Sequence, residues 1–162
     1  MRMLFIHGAG GADDDLPLAE GLGSLLGTTV DMPRIPDDDM SVDAWAAYVR
    51  RGLDAGPDIV VAHSFGATVL LHLLASVPVP AVTLLAMPDW STSGWDVPQY
   101  EYSAPLGVSL SLHHCRDDEV VPFSHLALAS AALPDARVVE HEHGGHQFEG
   151  VLGEVAASLR SA

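Results

Sequence analysis

One serine sits where a nucleophile would. In A-H-S-F-G, residues 62–66, a short apolar run of Ile59, Val60 and Val61 leads into the motif and a helical stretch leaves it. A sharp strand-to-helix turn forces its middle residue into a strained conformation with the side chain exposed. Strand and helix pass closely there, so the positions two before and two after must be small, and Ala62 and Gly66 are. Ser64 would project above a sheet at the start of a helix. The N–H of Phe65 and the positive end of the helix dipole would face the same point. Such a hydroxyl can attack a carbonyl carbon, and those donors would steady the oxyanion that forms. A hydroxyl alone is a weak nucleophile, so it needs a base and an acid to orient the base.

Candidates for both lie in four other segments: H-G-A-G-G (7–11), M-P-D-W (87–90), C-R-D-D-E-V-V-P (115–122) and H-E-H-G-G-H (141–146). They offer Asp89, Asp117, Asp118 and Glu119 as acids and His141, His143 and His146 as bases. The last segment also admits a second chemistry. H-x-H-x-x-H resembles the first zinc motif of metallo-β-lactamase-type hydrolases, but that motif has an Asp before its final His, and Gly145 stands there. Little chain follows to supply the rest of a three- or four-ligand set. His113, His114 and Cys115 read as a strand end, with Cys115 a packed residue. No metal and no organic cofactor is expected.

These segments need elements to hold them. Strands are expected at residues 3–6, 28–31, 58–62, 81–86, 108–113 and 136–140. Helices are expected at 16–26 (ended by Gly27), after Ser41 as N-cap, and at 65–76 (stopped by Pro78 and Pro80), 122–132 and 149–159. In the helix after Ser41, Val42, Trp45, Val49 and Leu53 recur at helical spacing. Asp13–Asp15 reads as a helix start, where the dipole favours anions. Strictly alternating strands and helices imply a parallel sheet with helices on both faces and right-handed crossovers. Ligands bind such sheets beyond the carboxyl ends of the strands. All the segments above follow strands.

The chain has 162 residues, enough for a real core, and is expected to be a single domain spanning 1–162. Its net charge is −15, with seven basic residues, all Arg, against 22 acidic ones. That balance argues against nucleic acid and anionic membranes as partners. One cysteine allows no internal disulfide, and no apolar run approaches the roughly 20 residues of a membrane span. A cytoplasmic location is expected.

From H-G-A-G-G to G-G-H, the chain resembles the α/β-hydrolase superfamily, most of all its short, lidless bacterial members and the compact serine hydrolases related to retinoblastoma-binding protein 9. The usual elbow is G-x-S-x-G; here Ala62 replaces the first Gly. The resemblance implies a minimal three-layer α/β/α fold with a six-stranded, mainly parallel sheet in order 2-1-3-4-5-6. It also implies roles. The family's acid lies in D-x-x-V-P, which Asp118 to Pro122 fits; Asp89 is the main rival. The histidine follows glycines after the last strand, as His146 follows Gly144 and Gly145, a pair that permits a sharp turn. The second oxyanion donor is the N–H of Ala9, with Gly10 in reserve, and His7 holds that loop. Gly8, Gly10, His63, Trp90 and Trp95 are expected to meet substrate, with Tyr100 and Tyr102 extending an apolar wall. The implied reaction is hydrolysis of a small carboxylic ester or thioester through an acyl-enzyme. The same residues would serve an amidase or peptidase, and the alternative class is an inactive binding protein on this scaffold.

Overall fold

Six short aliphatic runs become strands: β1 (Arg2–Ile6), β2 (Thr29–Asp31), β3 (Ile59–His63), β4 (Val82–Leu85), β5 (Leu110–Cys115) and β6 (Arg137–His141). A computed structural model describes residues 1–74 and 79–161. The strands form one sheet in the order β2-β1-β3-β4-β5-β6, and every pairing is parallel. Between them run α1 (Leu16–Leu26), α2 (Val42–Asp54), α3 (Phe65–Leu74), α4 (Ser124–Ala132) and α5 (Leu152–Arg160).

Alternate strand residues serve two cores. Leu4, Ile6, Val60, Ala62, Leu84 and Leu112 face a cluster built with α2, α3 and α4. Met3, Phe5, Val61, Leu85 and Cys115 face a second cluster built with α1 and α5. Both faces are therefore covered, which is why the central strands show no polar alternation. Each fully buried aliphatic side chain contributes about 1.5–3 kcal/mol.

Local chemistry sets the helix ends. Gly27 takes the left-handed conformation (φ 66°) and closes α1. Ser41 Oγ accepts the Ala44 N–H at 3.2 Å and opens α2, which buries Trp45, Val49 and Leu53. The expected end of α3 at Ser76 and its stop at Pro78 lie outside the described residues. No helix among the described residues is long and apolar enough to cross a membrane.

Several boundaries differ from expectation. β1 starts one residue early, at Arg2, and β2 one residue late, at Thr29. β3 runs Ile59–His63 rather than 58–62. β4 stops at Leu85 because Ala86 has φ 48°. β5 was expected over 108–113 but runs two residues later; His113 and His114 stay in the ladder because their rings find partners, His141 at 3.0 Å and the Val121 carbonyl at 2.9 Å. β6 extends to His141, pairing with Cys115. The segment 122–123 makes turns before α4, with His125 N–H on the Pro122 carbonyl. α5 begins at Leu152 rather than residue 149, since Phe148 (φ 57°) and Gly150 (φ 80°) cannot start a helix.

Candidate active site

The order of the sheet reverses between β1 and β3, and the loops after those strands meet there. Ser64 follows β3 with φ 52°, a region that side chains other than glycine seldom adopt. Its N–H is held by the Leu85 carbonyl at 2.9 Å, so the strand pairing itself maintains the strained turn. Two residues on, a Cβ at Gly66 would run into the main-chain carbonyls of Ile6 and His7. Ala62 is fully buried. Phe65 opens α3, and its N–H is one of the helix's first donors, which have no carbonyl four residues back within the helix.

The G-G-H turn after β6 brings His146 to the same cleft as Ser64. His146 Nδ1 lies 2.9 Å and 3.1 Å from the two carboxylate oxygens of Asp118. Nδ1 therefore donates, leaving Nε2 without its proton and able to accept one. The Asp118 side chain is fully buried. Burial alone would raise its pKa, but His114, His146 and the Val120 N–H outweigh that and hold it well below the usual carboxylate range. The Val121 N–H adds a further bond, so the V-V of D-x-x-V-P orients the acid through its backbone.

The other candidate acids lie elsewhere. Asp117 accepts the N–H groups of Gly145 (2.8 Å) and Gly144 (3.3 Å), shaping the turn that carries His146. Asp89 accepts from Ser91 N–H and Oγ and folds its own loop. Glu119 is exposed. The three histidines of H-x-H-x-x-H diverge: His141 pairs with His113 and Glu154, His143 is exposed, and His146 meets Asp118.

His7 pins the H-G loop. Its Nδ1–H donates to the Gly8 carbonyl at 2.7 Å, and its Nε2 accepts the Ile35 N–H at 3.0 Å. The Gly8 N–H goes to Asp15, and that of Gly11 to the Gly8 carbonyl. Ala9 and Gly10 remain as the loop's other donors. A Cβ at Gly8 would sit 3.0 Å from Ser64 Cβ, so the missing side chain eases the close approach of loop and elbow.

Asp15 stands at the start of α1, as the sequence suggests, but its carboxylate serves the loops rather than the helix. It occupies the N-cap of α1 but makes no capping bond. Its carboxylate, 1% exposed, reaches back to the Gly8 N–H (2.7 Å), His63 Nδ1 (2.7 Å) and Gln147 Nε2 (2.9 Å). Burial would raise its pKa, but the His63 partner and these donors win and lower it. His63, expected to meet substrate, has both ring nitrogens committed to the protein, since Nε2 lies 2.9 Å from the His146 carbonyl. Gly10, also expected there, has φ 63°, and a Cβ on it would approach Asp37. The signals for Asp15 were Gly8 and Gly11, whose missing side chains make room for its carboxylate.

The cleft has a volume of about 770 Å³ and both aromatic and acidic lining residues. Phe65, Trp90, Trp95 and Tyr100 form an edge-to-face aromatic wall, with Trp90 anchored by Nε1–H to Thr68 Oγ1 at 2.8 Å. Tyr102, expected in that wall, instead donates its hydroxyl to the Pro88 carbonyl at 3.4 Å. Asp13, Asp14, Glu119 and Glu149, all exposed, give the cleft an acidic rim. Cys115 is buried, which pushes its thiol up to about 12, so it is no rival nucleophile.

No protein-family model and no curated protein matches the sequence. Solved structures do match across 99% of the chain. They include the ydeN gene product from B. subtilis (19% identity, TM-score 0.74, 99% of that chain) and alpha/beta hydrolase domain-containing protein 10 from mouse (16%, 0.75, 88%). The esterase domain of a Rhodothermus marinus protein matches as well (16%, 0.70, 86%). The chain thus has the fold of the α/β-hydrolase superfamily.

Proposed function

We propose that this protein is a serine hydrolase that cleaves small carboxylic esters or thioesters. The observation that carries this reading is the buried Asp118–His146 pair, 2.9 Å apart, sharing one cleft with a serine held at φ 52°. In the proposed reaction His146 Nε2 takes the Ser64 proton as Oγ attacks the carbonyl carbon. The N–H groups of Phe65 and Ala9 receive the oxyanion. Asp118 keeps the imidazole in the required tautomer and stabilises it once protonated. The alcohol or thiol leaves with the proton from His146, and water then cleaves the acyl-enzyme with His146 again as base.

The cleft's shape favours compact substrates. Residues 88–107 fold down as an aromatic wall rather than a covering domain, and a short apolar acyl group would lie against it. The acidic rim and the −15 charge disfavour anionic substrates, nucleic acid and anionic membranes. We place the protein in the cytoplasm, which suits its lone cysteine thiol. A panel of chromogenic esters, thioesters and amides of graded chain length tests the reading. Short esters or thioesters should turn over, Ser64→Ala should abolish turnover with the fold intact, and EDTA should have no effect. Turnover of amides alone would move the assignment to an amidase. Full activity in Ser64→Ala would reject the nucleophile.

A further inference from the structure

Beside the Asp118–His146 pair lies a second acid–imidazole pair that the reaction above does not use. We propose that Asp15 and His63 form a charged, hydrogen-bonded pair that positions the three loops of the active site. This rests on the proposed hydrolase reading for its catalytic consequence, but not for its charge state. The His146 carbonyl can only accept a hydrogen bond, so His63 Nε2 carries a proton. The Asp15 carboxylate already accepts from the Gly8 N–H and from Gln147 Nε2, so it is the anion and His63 Nδ1 carries a proton as well. His63 is therefore an imidazolium, buried to 1% exposure on the buried Asp15. An isolated charge at this depth would be unstable, and a hydrogen-bonded partner is what permits it.

Each bond of the pair ties down a different loop. Through Gly8, Asp15 sets the loop that carries the Ala9 donor. Through His63 it grips the residue before the nucleophile. Through Gln147 and the His146 carbonyl, the pair fixes the turn that presents the base. The His63 and His146 rings lie 4.5 Å apart between centroids. A lone imidazolium at that distance would oppose protonation of His146 during the reaction; Asp15 cancels it, so the pair adds no net charge beside His146. Asp15 and His63 are positioning residues: their polar atoms meet protein rather than substrate.

The test combines kinetics with histidine NMR. In the wild-type protein at neutral pH, both ring nitrogens of His63 should show the nitrogen-15 shifts of protonated imidazole. With 4-nitrophenyl acetate, Asp15→Asn should lower kcat about 10- to 100-fold while KM changes little, because the loops lose register but the aromatic wall is untouched. Labelling of Ser64 by a fluorophosphonate should slow by the same factor. An unprotonated His63 nitrogen in the wild type, or wild-type kcat in a folded Asp15→Asn variant, would overturn the proposal. If the wild type neither hydrolyses esters nor reacts with fluorophosphonate, the hydrolase reading fails on its own. The His63 shifts, and movement of the Gly8 and Gln147 amide signals in Asp15→Asn, still decide the pair; unmoved signals would reject it.

Discussion

At the scale of single residues, hydrogen bonding separates carboxylates that composition alone leaves equivalent. Asp118, Asp117 and Asp89 all follow strands, yet only Asp118 among them meets His146. Asp118→Asn should lower kcat on the order of 10⁴-fold, because the imidazole loses its orienting acceptor and its tautomer. Asp89→Asn, which keeps an acceptor for the Ser91 N–H, should leave kcat at the wild-type level. Parallel rate measurements on one ester check both, and the reverse pattern would reassign the acid. The meeting of Asp118 with His146, in the cleft that Ser64 lines, was legible in the sequence, because each sits in a short motif whose spacing has a physical cause. Asp15 and His63 were not. Their contact joins residues 48 positions apart, and Asp15 stands where an acid has an ordinary local explanation at a helix start.

At the scale of elements, several left-handed turns stand just after strands. Gly10, Ser64, Ala86, Gly144 and Gly145 all have positive φ, and each closely follows β1, β3, β4 or β6. Neighbouring strands hold two of these turns, through Ser64 N–H on the Leu85 carbonyl and Ala86 N–H on the His113 carbonyl, while the Asp117 carboxylate holds Gly144 and Gly145. Gly66→Ala should destabilise the protein by about 1–3 kcal/mol, since its Cβ would overlap the backbone after β1. Ser41→Ala, whose side chain caps α2 and does not line the cleft, should cost about 1 kcal/mol through the lost cap without altering kcat. Urea unfolding with parallel kinetics distinguishes the two. Element order was readable from alternating apolar runs, and Gly27 and Ser41 marked their helix ends. The ends of β5 and α5 were not readable, because they depend on tertiary contacts: the His113–His141 pair extends one, and the positive φ of Phe148 delays the other.

At the scale of the whole molecule, buried titratable groups set the response to acid. Burial and the neighbouring His141 hold His113 down to about 3, against 6.5 in an unfolded chain. It is neutral in the fold, so its contribution to stability is complete above about 6.5 and falls away as the pH drops from there toward about 3. Asp118 and Asp15 are held below the ordinary 3.8 of a carboxylate; their contributions are complete above that value and are lost below it. The urea midpoint should therefore fall in two stages on acidification, and His113→Phe should flatten the first. A midpoint independent of pH between 7 and 5 in the wild type would contradict this. The central claim is narrower: the sheet, its turns and the buried acid converge to activate one hydroxyl. Peptide mapping after reaction with a fluorophosphonate tests it most directly. A single adduct should form on Ser64, rapidly in the wild type and not at all in a folded His146→Ala variant. An unmodified Ser64, an adduct on another residue, or equal labelling without His146 would contradict it.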